Sequence, residues 1–345
     1  MKVKIIRALA VAAAVAVIGF SFSACTGKKE SVKMPVKVLF LPHFEVGEMS
    51  GDEVGEAQLL YEKYFLNCIE YSMADGTVMY YSPENELAMY VTGSGKTNAS
   101  KASALALSDV RFDMSDAYII GLGCAGGAKD ITTLGDVCIA TSACDYDLGH
   151  TIDARELDEE VSAVWYHDSS FDDISFKKFN TALVDRAYEL TKDTVLETTD
   201  ITRSTMKTNF GDAEWATRNP VVIKGACITS DRYWKGEYSH NVANDVLASY
   251  DSDEVYTITE MEDVAIADVA DSFGMLDKLL IVRANVNPDV FINGNNAFTL
   301  WEEDLNFNDA VGDSNEETLD IFEPAMRNNY NVISTITDAI LNGTF

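Results

Sequence analysis

The sequence predicts an α/β fold, a single domain with a mixed, mainly parallel central sheet flanked by helices. Three observations predict it. Compact apolar runs of strand length alternate with stretches of helical periodicity, as strands joined by helical crossovers do. Two of these runs pass into glycine-rich turns, and open parallel sheets hold ligands beyond the C-terminal ends of their strands. With 47% hydrophobic residues, the 345-residue chain can bury a core despite a formal charge of −30, which argues against disorder.

The N-terminus reads as a targeting segment. Lys2, Lys4 and Arg7 precede an apolar run from Ala8 to Ala24 that ends at Cys25. A basic stretch, an apolar core and small residues before the cut describe a signal peptide over residues 1–24. Phe22-Ser23-Ala24-Cys25 resembles a lipobox, with Phe22 in place of the more usual Leu. Cys25 is therefore the expected lipidation site, and residues 25–35 the polar tether behind it. Thr26 lacks the acidic character of inner-membrane retention. The expected location is thus the bacterial cell envelope, lipid-anchored at the outer membrane and facing periplasm or surface. No later run is long and apolar enough to span a bilayer, which takes about 20 residues. Membrane contact is expected only through the lipid anchor, and a channel or carrier is excluded for the chain alone.

The domain proper starts at residue 36. Val36–Leu41 (VKVLFL) is a strand of the kind buried on both faces. Glu56–Cys68 has helical spacing, with Leu59, Leu60, Tyr64 and Phe65 on one face. Leu87–Val91 is a second strand, passing through TGSGKTNAS into an Ala-rich helix that reaches Ser108. Ala117–Leu122 (AYIIGL) is a third strand and ends in Gly121, Gly123, Gly126 and Gly127. Val137–Thr141 is a fourth. Residues 145–219 are acidic and punctuated by aromatics, with a helix signal at Asp173–Leu196. They read as an insertion covering the core. Strands follow at Val221–Thr229 and Val255–Ile258, a helix at Met261–Phe273, a strand at Lys278–Arg283, and a last amphipathic helix from Pro324 to Leu341.

Three stretches could carry chemistry. GSGKT at Gly93–Thr97 looks like a phosphate loop, but that pattern needs a glycine where Tyr90 stands, so a nucleotide triphosphatase is rejected. A glycine turn opening a helix can still offer backbone N–H groups to a ligand. GLGCAGG at Gly121–Gly127 lets backbone approach a ligand closely. TEMED at Thr259–Asp263 enters a helix; its carboxylates either favour the helix N-terminus or accept two hydrogen bonds from a vicinal diol. The five cysteines after Cys25 are odd in number and lack CxxC spacing, so no metal site is signalled. The strong negative charge disfavours nucleic acid, which is bound mainly by Lys and Arg.

Taken in order, these segments resemble the nucleoside phosphorylase and nucleosidase superfamily. VTGSGKTNASKASALAL is similar to its glycine turn and helix, and YIIGLGCAGGAKDITTLGDVCIAT to its strand, glycine cluster and following strand. TSDRYW is similar to its base-stacking segment, TITEMEDVAIADVA to its ribose-binding segment, and LLIVRANVNPD to the strand that reads the base. Within the superfamily the resemblance is to the purine nucleoside permease family, through GEAQLLYEKYF, ALALSDVRFDMSDAYIIG, TIDAREL, TSDRYWKG and IFEPAMRNNYNVI.

The resemblance implies a nucleoside phosphorylase-like fold and a set of roles. Glu262 would bind the ribose 2′ and 3′ hydroxyls, with Met261 under the sugar. Tyr233 would stack on the base, and Trp234 would add backbone or edge contacts. Gly95, Gly123 and Cys124 would line the sugar and anion side. Glu56 matches the carboxylate that activates water in nucleosidases, with Glu45 and Glu48 as alternatives in the loop before it. Asn287 stands where nucleosidases of this fold carry an aspartate that donates a proton to the leaving purine. An amide can hydrogen-bond a purine but cannot act as a general acid. The phosphorylase-type arginine before the glycine cluster is absent, so phosphate as co-substrate would depend on backbone N–H groups and on Arg283 or Arg232.

Two functions follow from the resemblance. In one, an extracytoplasmic lipoprotein binds purine nucleosides and takes part in their uptake, delivering them to a separate membrane transporter. In the other, an enzyme cleaves the N-glycosidic bond as a phosphorylase or hydrolase. A lipoprotein with a dead pocket is the third reading. No cofactor is expected, and a homo-oligomer stays open.

Overall fold

The computed structural model describes residues 32–152, 165–250, 252–290 and 316–345. Met1–Met34 separates from one compact unit, Pro35–Phe345, which holds all the elements named here. Cys25 and the signal segment lie outside the described residues.

The unit is built on a ten-stranded sheet. In chain order its strands are β1 (Val38–Leu41), β2 (Ile69–Ser72), β3 (Val78–Ser82), β4 (Leu87–Tyr90), β5 (Tyr118–Gly127), β6 (Val137–Asp145), β7 (Phe176–Lys178), β8 (Val222–Thr229), β9 (Tyr256–Glu260) and β10 (Leu279–Pro288). The order across the sheet is β7-β6-β8-β9-β5-β1-β4-β3-β2, and β10 pairs with both β5 and β6. The sheet is mixed, as expected. Parallel pairs join β1 to β4 and β5, β5 to β10, and β8 to β6 and β9. Antiparallel pairs add the edges and join β10 to β6. Because β5, β10, β6, β8 and β9 pair in a circuit, this part of the sheet closes on itself and leaves few exposed edges.

Helices cover the sheet: α1 (Gln58–Tyr64), α2 (Lys96–Ser108), α3 (Thr181–Thr191), α4 (Asp200–Phe210), α5 (Glu237–Ala248), α6 (Asp263–Ser272) and α7 (Glu316–Leu341). The core strands β1 and β4 are buried along their whole length, as their unbroken apolar runs require. On one side α5 lays Val242, Ala243, Val246 and Leu247 against Ile228 and Tyr256. On another, α7 buries Phe322, Met326, Val332, Ile333 and Ile336.

Several elements depart from expectation. β5 continues through its glycines to Gly127 instead of stopping at Leu122, because β10 and β9 supply partners along its length. β10 likewise runs past Arg283 to Pro288. The helix expected over Asp173–Leu196 is split into one turn at Asp172–Ser175 and α3, which Asn180 starts by accepting from the N–H groups of Ala182 and Leu183, a side-chain cap. Ahead of it, β7 lies within residues 145–219 yet adds a strand to the sheet edge.

Candidate functional site

The residues following β1 and β4, and the C-terminal ends of β5, β9 and β10, surround a cavity of ≈ 340 Å³, within the roughly 300–1,000 Å³ usual for small-molecule sites. Phe44, Met261, Val286, Phe322 and Tyr233 form an apolar wall. Phe44 stacks on Phe322 of α7, ring centroids 6.1 Å apart. Tyr233 is 38% exposed and marks the mouth. The opposite end is buried and polar, with His43, Glu56, Glu260, Glu262 and Arg283.

Arg283 organises that end. It is 1% exposed, and its guanidinium reaches Asp263 at 2.6 Å, Glu262 at 3.1 Å and Glu260 at 3.2 Å. A fourth bond goes to the Cys124 carbonyl at 3.1 Å. Burial opposes the charge, but Asp263, Glu260 and Glu262 hold the guanidinium firmly protonated. Burial, then repulsion from Asp263, pushes the Glu260 carboxyl well above the usual carboxylate range. Glu260 also takes the Glu262 and Asp263 N–H groups at 2.5 and 2.7 Å, pinning the turn from β9 into α6. All three carboxylates of TEMED thus face the arginine, with Asp263 behind it and Glu260 and Glu262 lining the cavity.

Glu56 faces the same end from the loop after β1. Glu45 prepares its position: its carboxylate accepts from the Ala57 and Gln58 N–H groups, both at 2.6 Å, where a helix N-terminus favours negative charge. Glu48 is exposed. Of the three carboxylates in this loop, Glu56 therefore lines the cavity. It accepts from the N–H groups of His43 at 2.7 Å, Phe44 at 3.2 Å and Cys124 at 2.9 Å. Burial outweighs these donors and Arg283, and lifts its pKa to about 7. Gly123 permits this approach. Its φ is +154°, and a Cβ there would stand 2.2 Å from Glu56 Oε1.

Gly95 donates its N–H to Glu262 Oε1 at 2.8 Å, which uses the φ of +89° at the start of α2. Both glycines shape the site through backbone. The neighbouring Lys96 is held by Asp145 at 2.8 Å and Asp147 at 3.1 Å, the physical reason the GSGKT turn is no phosphate loop. Cys124 lines the cavity, and burial followed by the Glu56 charge pushes its thiol well up, so it serves as neutral wall.

Asn287 reaches the cavity because β10 carries a bulge. The register against β5 shifts between Asn285 and Asn287. Without the bulge, successive side chains would point to opposite faces; with it, Val286 and Asn287 both line the cavity. Trp234 is placed elsewhere. Its ring stacks on Tyr146 at 5.2 Å and packs into the core under α5, so it is not among the lining residues.

Sequence reasoning missed His43, Ser94 and the walls Phe44 and Phe322. His43 stands two residues past the end of a strand's apolar run, a signal that was available. Phe322 joins the site from a distant helix, and no local pattern announces it. Arg283 and Arg232, considered for phosphate, are both engaged: the first as described, the second with Asp147 at 3.1 Å.

Residues 35–344 match the profile of the family described as Purine nucleoside permease (NUP). A probable purine nucleoside permease of Schizosaccharomyces pombe is 30% identical over 201 residues, covering 53% of this chain and 57% of that protein. A purine nucleoside permease of Candida albicans is 28% identical over 221 residues, covering 57% of this chain and 53% of that protein. The chain thus spans just over half the length of these curated relatives. Among solved structures, the 5′-methylthioadenosine/S-adenosylhomocysteine nucleosidase of Neisseria meningitidis superposes with a TM-score of 0.52 at 16% identity, covering 88% of this chain and 99% of that one. Futalosine hydrolase of Helicobacter pylori gives 0.52 at 13% identity, with 88% and 97% covered. At such identities the likeness is one of fold, the phosphorylase/nucleosidase fold expected from sequence. The curated relatives are fungal. The expected location in a bacterial cell envelope is corrected accordingly and does not stand.

Proposed function

Because this chain belongs to the purine nucleoside permease family, we propose that its cavity captures a purine nucleoside as a step in nucleoside uptake. One observation carries the reading: a buried acidic end and an aromatic-walled slot meet in one cavity, with Asn287 on its side. A nucleoside has the complementary halves, a sugar rich in hydroxyl donors and a flat base with polar edges. Glu262 would take the ribose hydroxyls, since an ionised carboxylate is acceptor-only. Phe44, Phe322 and Tyr233 would cover the base, and Asn287 would hydrogen-bond its edge. No helix among the described residues is long and apolar enough to cross a membrane; passage through a bilayer would fall to a separate transporter.

A second reading, cleavage of the N-glycosidic bond, is favoured by Glu56. A carboxyl with a pKa near 7 is tuned as a general base that could take a proton from water. Water suits this site better than phosphate as nucleophile, because Arg283, Lys96 and Arg232 already face carboxylates. Calorimetric titration with inosine, adenosine, uridine and hypoxanthine, run beside an assay for free base with and without phosphate, tests both. Tight purine nucleoside binding with little base release is expected. Vigorous phosphate-dependent release would overturn the capture reading, and equal affinity for uridine would remove the purine assignment.

A further inference from the structure

His43 follows β1 and is 2% exposed, with its ring in the cavity wall. Its Nδ1 lies 2.8 Å from Thr92 Oγ1, and the Thr92 hydroxyl gives its own proton to the Gly93 carbonyl at 2.9 Å. Thr92 can then only accept from the ring, which puts the imidazole proton on Nδ1 and leaves Nε2 as a lone pair. Burial and the Arg283 charge hold the ring neutral, with its pKa well below the usual histidine range. Nε2 has no hydrogen-bond partner among the described residues, although buried polar atoms nearly always have one. It faces Glu262 Oε2 at 4.0 Å.

Two acceptors set opposite each other cannot bond to one another: Glu262 Oε2 already accepts from Arg283 at 3.1 Å and keeps a second lone pair for a ligand, whereas Nε2 has no donor among the described residues. One hydroxyl proton satisfies only one of them. A vicinal diol carries two protons on neighbouring oxygens and can serve both. We propose that His43 Nε2 and Glu262 form a paired acceptor for the two hydroxyls of a vicinal diol, making His43 the residue that selects ribonucleosides over deoxynucleosides. The proposal deepens the nucleoside reading and rests on it. A ribose presents that diol, whereas a 2′- or 3′-deoxyribose can serve only one of the two, and the one lacking the hydroxyl opposite His43 leaves Nε2 buried without a donor.

The test compares native protein and His43→Phe in binding inosine, 2′-deoxyinosine, 3′-deoxyinosine and hypoxanthine. An unmade buried hydrogen bond is expected to cost about tenfold in affinity. Native protein should therefore prefer inosine to at least one deoxynucleoside by about that factor. His43→Phe should erase the preference by weakening inosine about tenfold, with that deoxynucleoside and hypoxanthine changed by less than about twofold. Equal weakening of all four ligands overturns the assignment. A second measurement needs no variant: the ¹⁵N resonance of His43 Nε2 in native protein should start at a pyridine-type position and move on adding inosine but not hypoxanthine. An Nε2 resonance unmoved by bound inosine sinks the His43 role alone. Native protein that binds hypoxanthine and no purine nucleoside sinks the nucleoside reading and this proposal together.

Discussion

Glu56 sets burial against hydrogen bonding in a way that stability measurements can read. Three backbone N–H groups point at its carboxylate and favour the anion, whereas burial favours the neutral acid. Burial wins, taking the pKa from 4.5 to about 7. A carboxyl raised in the folded state stabilises the fold fully below its unfolded pKa, and that contribution is lost as pH rises through the folded value. Each pH unit between the two costs about 1.4 kcal/mol. Over the interval from 4.5 to about 7, the loss comes to about 3 kcal/mol. Glu56→Gln cannot ionise, and whatever penalty its amide incurs against the backbone donors is independent of pH. Urea unfolding of both proteins from pH 4.5 to 8 should show the variant gaining about 3 kcal/mol on the native protein up to pH 7 and nothing further above it. Taking the difference cancels the many other carboxylates. A constant difference, or one running the opposite way, would mean that the N–H donors prevail and Glu56 is an anion in the folded protein.

Other substitutions probe the same site. Glu262→Gln trades a charge-assisted hydrogen bond for a neutral one, so ribonucleoside affinity should fall by about tenfold while free-base affinity barely moves; equal losses in titration would defeat the assignment. Asn287→Asp restores a proton donor beside the base, and a base-release assay should show hydrolysis rising above the native rate by up to about 10²–10⁴-fold, with nucleoside binding within about tenfold. No gain would place the departing base away from Asn287. Gly123→Ala puts a methyl 2.2 Å from Glu56 Oε1 at a backbone angle that favours glycine, so thermal unfolding should report a loss of about 1–3 kcal/mol. Unchanged stability would show that Glu56 moves aside freely.

Much of this molecule is legible along the chain, and the reason is local. Val38–Leu41 and Leu87–Tyr90 are apolar throughout because they are buried on both faces, so a short run announces each strand. The residues that line the cavity from strand ends, Cys124, Met261 and Glu262, belong to short continuous segments whose composition can be compared directly with a family. Glu56 could be matched but not separated from Glu45 and Glu48, because choosing among them required knowing which carboxylate caps α1. Trp234 sits beside Tyr233, and only the packing of α5 decides that one ring enters the core while the other faces the cavity. The bulge that turns Asn287 inward exists because β10 pairs with β5, a relation between residues about 160 positions apart. The state of Arg283 is likewise tertiary. By sequence it was a cation available to phosphate; in the fold it is committed to Asp263, Glu260 and Glu262. Sequence by itself determined the fold class and the family, because periodicity and motif order are properties of neighbours in the chain. Tertiary structure alone decided charge states and the lone pair of His43, because desolvation and facing acceptors depend on what distant segments bring within a few ångströms.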